Sequence, residues 1–316
     1  MTLVGKRRRS IGGRDSSADG RLLLGSVPLL LAALSGCGPV NSTPFVDLHA
    51  AAKQMEADFA GLMDRVDAIY VQDVILDHAD DAEAPGDLDA LAVRSTELSE
   101  SARLQKNLLD AITSYTLVLS RIASGEERKR IAEEAEALNG HLKALANDDA
   151  VKSLAKGVST GDLEQGIDIF TTAANVAAEW YYSKRSREGL QDVMGRHQKS
   201  LELGCALIGE NLKRYKRILN AAVTGVYADT VIMGWKGLDR AGKSKRMERA
   251  LLLVNAQRDL EQAMSSLRKS LSLLPVAHEE AYKSIEEEVT LESAIREMEV
   301  EGRRIARIYK RMKEIE

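Results

Sequence analysis

The chain has 316 residues, of which 44% are hydrophobic, 29% charged and 4% aromatic, with 2 Cys and a net charge of −4. That apolar share is enough to bury a core, which excludes disordered and collagen-like classes, and two cysteines cannot build a disulfide scaffold. Scarce aromatics and 5 Pro, beside abundant Ala, Leu, Glu, Lys and Arg, favour helix over sheet.

Lys6, Arg7, Arg8, Arg9, Arg14 and Arg21 form a basic leader, followed by the 13 uncharged residues Leu22 to Leu34. As a helix that run rises ~20 Å, short of the ~30 Å hydrocarbon core, so it reads as a secretory signal and not as a membrane span. It ends in Leu34-Ser35-Gly36-Cys37, which resembles the lipobox of bacterial lipoproteins. The resemblance covers residues 1–37 alone. It implies cleavage before Cys37, a diacylglyceryl group on that thiol, and Cys37 as the mature amino terminus. Two or more acyl chains hold a protein on a bilayer without a spanning helix, because each buried methylene contributes ~0.8 kcal/mol. Gly38, not Asp, follows the cysteine, and in envelopes with two membranes the resemblance then implies the outer one. The expected organisation is a signal peptide at 1–36, the lipidated Cys and a short tether at 37–44, and a helical domain at 45–316.

Beyond Gly36 the chain holds 38 basic and 46 acidic residues, a net charge near −8. Nucleic acid, which selects a concentrated basic face, is not an expected partner. Phe45, Leu48, Ala52, Met55, Phe59, Leu62, Val66, Ile69 and Leu76 alternate three and four residues apart, interrupted only by Asp73, and this heptad seam predicts a long helix. Asp80, Asp81, Pro85 and Gly86 end it. Asp87 is placed to cap a second helix with Leu88, Leu91, Leu98, Ala102, Leu109, Ile112 and Leu119 on one stripe. Ser124-Gly125-Glu126-Glu127 reads as a break and a capping box for a third helix through Leu145.

The pattern weakens from Asn147 to Gly161. A helix is expected from Asp162 through Tyr181, with a bend at Ser186 to Gly189, continuing as Leu190, Met194, His197, Leu201, Ile208, Leu212, Tyr215 and Leu219. Gly225 to Gly242 reads as a connection between helices. After Ser244 a helix returns with Met247, Leu251, Val254 and Leu260 on its seam, interrupted near Leu274-Pro275 because proline removes a hydrogen bond and clashes one turn back. A final helix carries Leu291, Ile295, Met298, Ile305, Tyr309 and Met312. Together these predict an all-α fold, an elongated antiparallel bundle of long, coiled-coil-like helices.

Chemistry is sparse. His49, His78, His141, His197 and His278 lie far from one another and from cysteine, so no metal-ligand spacing exists, and no metal or cofactor is expected. His197 sits on an apolar stripe and reads as a hydrogen-bonded core histidine. Cys205, between Gly204 and Ala206, reads as a small buried hydrophobe. Gly234, Gly237 and Gly242 lack the strand and the Lys-Ser/Thr ending of a phosphate loop, and no nucleophile elbow or triad is found. No catalytic residues are assigned.

Trp180, Tyr181 and Tyr182, followed by Lys184 and Arg185, form the one aromatic cluster with basic neighbours and are the first candidates for a partner surface. The expected role is a lipid-anchored, non-enzymatic binding or scaffolding module of a bacterial envelope, with an envelope protein or a second copy as partner and the membrane held through its amino-terminal lipid. The alternative is a membrane-perturbing or pore-forming protein with an insertable hairpin near 218–235, where Asp229 is the only charge.

Overall fold

The computed structural model describes residues 40–79, 88–126, 129–130, 133, 136, 186–228, 232, 235–286 and 293–313. All of these belong to one compact unit, Pro39–Glu316. Among the described residues the regular elements are α1 (Thr43–Ala79), α2 (Leu88–Ala123), α3 (Ser186–Tyr227), α4 (Arg240–Lys283) and α5 (Ser293–Lys313), with no strand.

Local chemistry sets several helix ends. At the start of α1, Asn41 Oδ1 accepts from the Thr43 amide at 3.1 Å, and Pro44 occupies the first turn, where a missing N–H costs no helical bond. α2 stops at Gly125, whose φ of +66° only glycine adopts cheaply. The Gly125 amide returns to Ile122 O and the Glu126 amide to Arg121 O, both at 3.1 Å. That pair of bonds satisfies two carbonyls the helix end would otherwise leave bare. The expected break at Ser124-Gly125 therefore falls where it was read. α4 begins at Arg240, inside the stretch read as a connection and four residues before Ser244, because the Asp239 side chain caps it by accepting from the Gly242 amide at 2.7 Å, after a turn that holds Gly237 at φ +96°.

Consecutive described helices run antiparallel. His49 of α1 meets Thr116 of α2 at 3.3 Å. Gln191 and Asn220, near opposite ends of α3, meet Glu286 just beyond α4 and Gln257 within it. Arg311 of α5 reaches Asp259 and Ser293 reaches Glu280, the two ends of the α4–α5 pair. α1 and α5 consequently run parallel, Gln54 lying beside Gly302 and Asp58 beside Tyr309. The result is an all-α bundle.

The seams read from sequence are largely the seams that pack. Phe45, Leu48, Ala52, Met55, Phe59, Leu62 and Val66 are buried, and so are all eight expected positions of α3, Leu190 through Leu219. Leu109, Ile112 and Leu119 of α2, and Ile295, Met298, Ile305 and Met312 of α5, are buried as well.

Beyond its start, α4 departs from expectation twice more. It passes through Pro275 without interruption. A proline inside a helix costs ~3 kcal/mol, but Leu271, Leu274, Ala277 and Ala281 around it are all buried, and each fully buried leucine contributes ~2 kcal/mol. Tertiary packing thus outweighs the local penalty.

The second departure is register. Met247 and Leu251, read as seam residues, are 53% and 62% exposed, and Val254 is exposed too. The buried face instead runs through Ala250, Leu260, Met264, Leu267, Leu271 and Leu274, with Leu253 and Gln257 partly buried between them. Ala250 to Val254 is a run of five apolar residues, which leaves the helical phase open. Gln257 then places a polar group on the true seam, where it meets the Asn220 side chain of α3 at 2.9 Å.

Candidate functional site

A chain of neutral polar groups crosses the core between α2, α3 and α4. His278 is wholly buried and lies on the packed face of α4 one turn beyond Leu274. Its Nε2 faces the Tyr115 hydroxyl of α2 at 2.9 Å, and its Nδ1 faces Gln198 Oε1 of α3 at 2.6 Å. A carbonyl oxygen only accepts, so Nδ1 carries the proton and Nε2 accepts from Tyr115. Gln198 Nε2 in turn donates to Pro275 O at 3.1 Å and to Glu202 at 2.9 Å. Every link has a donor and an acceptor.

Burial pushes the His278 pKa down to about 3, the neighbouring His197 adding to the effect. It drives the Tyr115 hydroxyl up. His197 stands edge-on to the Tyr115 ring at 5.7 Å; burial first, and Arg196 second, push its pKa down to about 4, against the pull of Asp192. The expectation that His197 is a core histidine holds, yet its Nε2 has no hydrogen-bond partner. The ring is accommodated by aromatic packing instead. With both imidazoles neutral and out of reach of solvent, this group fixes how three helices meet; a general base would have to touch a substrate.

A second grouping lines a cleft of about 330 Å³ along α1 and α5, with Ser270 of α4 at its edge. Asp47, Asp58 and Glu299 face it, and Arg303 is the cation of its lining. Asp58 is 6% exposed and accepts from Gln54 Nε2 at 2.9 Å. Burial nevertheless lifts its pKa to about 6, against that hydrogen bond. Asp47 is raised by burial and by Glu299. Beside the cleft the Tyr309 hydroxyl donates to Asp58 O at 2.6 Å, and the Arg65 guanidinium rests 4.3 Å from the centre of the same ring. Gly61 leaves room for that ring, since a Cβ would meet Tyr309 Cε2 at a tight 3.0 Å. This clamp joins the first described helix to the last.

A third recess, about 410 Å³, lies between α3 and α4 and includes Cys205 in its lining. Cys205 is free and buried, and burial drives its thiol pKa up, leaving it an unreactive packing residue. Among the described residues no three His, Cys, Asp or Glu side chains are arranged to hold a metal ion.

Of the residues singled out from sequence, Cys37, Trp180, Tyr181, Tyr182, Lys184 and Arg185 lie outside the described residues, as do most of the expected third helix and the segment from Asp162 to Tyr181. The Tyr115–His278–Gln198 chain and Asp58 were not foreseen. One signal was present: polar residues such as Gln105, Thr116, Ser200 and Ser270 recur on buried helix faces, and buried polar groups call for partners. Which partner each finds depends on helices 80 to 163 residues apart in the chain. Compared with protein-family models, curated proteins and solved structures, the chain has no match.

Proposed function

We propose that the protein is a lipid-anchored helical protein of a bacterial cell envelope, working as a binding or scaffolding module and not as an enzyme. The observation that carries this reading is the order of signals at the front of the chain: a basic leader, the apolar run Leu22 to Leu34, and Leu34-Ser35-Gly36-Cys37. Acylated Cys37 is the membrane anchor, and Gly38 favours the outer membrane. Only seven residues, Gly38 to Pro44, separate Cys37 from Phe45, the first seam residue of α1, so the bundle is tethered closely. Long packed helices offer extended lateral surfaces to a partner protein or a second copy. Trp180, Tyr181, Tyr182, Lys184 and Arg185 are the partner-facing candidates.

The test is fractionation of a bacterial host expressing the full chain or its Cys37→Ser form, with mass spectrometry of the amino-terminal peptide. The expected result is a membrane-bound protein beginning at an acylated Cys37, released or left unprocessed by the substitution. An unmodified Cys37 on the native protein overturns the reading.

The insertable-hairpin alternative has less support. Leu219, Ala222, Val223 and Val226 of α3 are buried in the bundle, so insertion would first strip them from their contacts. No helix among the described residues is long and apolar enough to cross a membrane. Dye leakage from vesicles, abolished by Val231→Asp and Ile232→Asp together, would restore it.

A further inference from the structure

The chain beyond Gly36 is acidic, yet its positive charge is unevenly spread. Between Lys236 and Arg249 six basic residues stand against two acidic ones. In the same stretch and just beyond it α4 leaves four apolar side chains in solvent, Met247, Leu251, Leu252 and Val254, with Ile232 of the preceding connection 62% exposed. The two features share one face. Arg240, Lys243, Met247, Leu251, Val254 and Arg258 follow one another at three- and four-residue spacing, which places them on a single helical stripe, apolar in the middle and cationic at both ends. Lys243 also stands 5.5 Å over the Trp235 ring, so an amphipathic aromatic sits at the rim of the patch.

Where α4 packs against α5 the pattern is different: Lys269 is paired with Glu297 and Glu301, and leucines face the core. The first part of α4 thus combines exposed lysine and arginine with exposed aliphatic residues and a half-buried tryptophan. A flat anionic surface with an apolar layer beneath it satisfies all three at once: phosphates take the cations, the acyl boundary takes Met247, Leu251 and Val254, and the headgroup level takes Trp235. An acidic protein would satisfy the charges alone.

We propose that the Lys236 to Arg258 end of the bundle docks on an anionic lipid bilayer as a peripheral contact, independent of any acyl group on Cys37. The chain has 2 Trp, so Trp180→Phe in the full-length protein leaves Trp235 as a reporter within the patch itself. That protein is titrated with vesicles of phosphatidylcholine, or of phosphatidylcholine mixed with phosphatidylglycerol, with and without a lipid-borne quencher.

The expected result is a blue shift and quenching of Trp235 with the mixed vesicles only, reversed by salt. Arg240→Gln and Arg258→Gln together, the exposed cations at the two ends of the stripe, weaken the titration about thirtyfold, the loss expected for two cations at an anionic surface. Leu251→Asn reduces quenching while the charges remain. Because the comparison is made within one chain, attachment by the leader or by an acyl group cancels. Unchanged Trp235 emission, an equal response to neutral vesicles, or a response without vesicles that grows with protein concentration and so marks a second copy on the patch, each overturns the proposal.

Discussion

The two halves of α4 are one continuous helix with two fates. From Leu260 onward its seam is buried against α3, α5 and α1; before Ala256 a stripe through Met247, Leu251 and Val254 faces water. Periodicity is the same in both, so periodicity did not decide which residues became core. The flanking helices did, and the difference separates a stripe that stabilises the fold from one available to a ligand.

The sharpest way to test that contrast is a matched pair of truncations. Leu271→Ala, deep in the packed half, should cost about 2–5 kcal/mol in denaturant unfolding. Leu251→Ala should lie within about 0.5 kcal/mol of the parent. Similar losses at the two positions would show that the first half of α4 is packed after all.

A second contrast sets the acidic cleft against the neutral core. The raised pKa of Asp58 means that its carboxyl is easier to ionise in the unfolded chain. Its contribution is therefore fully present below about 3.8, the usual Asp value, and is lost as pH rises through about 6. Asp58→Asn keeps the acceptor for Gln54 and should raise stability above pH 7 by up to about 3 kcal/mol, with little change at pH 4. Unfolding curves of the two proteins at several pH values decide it; no gain at high pH would mean that solvent reaches the carboxylate.

His278 and His197 titrate with the opposite sign. Their folded-state values are lowered to about 3 and about 4, so the unfolded chain takes up protons first as pH falls below about 6.5. Stability present above that value should decline by about 2 kcal/mol per histidine at pH 5. His278→Gln, whatever its cost at pH 8, should flatten that decline; an unaltered slope would place the titration elsewhere.

The helix ends give the smallest effects. Asp239→Ala removes the cap of the exposed half of α4, and Gly125→Ala forces a side chain into a left-handed turn. Each should cost about 1 kcal/mol. A larger loss for Asp239→Ala would tie the exposed half more firmly to the fold than its packing indicates.

The seams of α1, α3 and α5 were legible because each pairs a regular 3–4 spacing with one apolar residue per turn, a pattern with a single phase. At Ala250 to Val254 five apolar residues in succession fit several phases, and the reading settled one residue away from the packed one. Asp58 was illegible for a related reason. It occupies an unremarkable position between Ala57 and Phe59, and its altered acidity arises only when α5 covers it.

Sequence alone was sufficient for the helical class and the stop at Gly125, since these depend on propensity and capping that act within a few residues. Tertiary structure decided the register of α4, the survival of its helix through Pro275, and the Tyr115–His278–Gln198 chain. Those outcomes turn on burial between segments distant in the chain, where several kcal/mol of packing override about 3 kcal/mol of local preference.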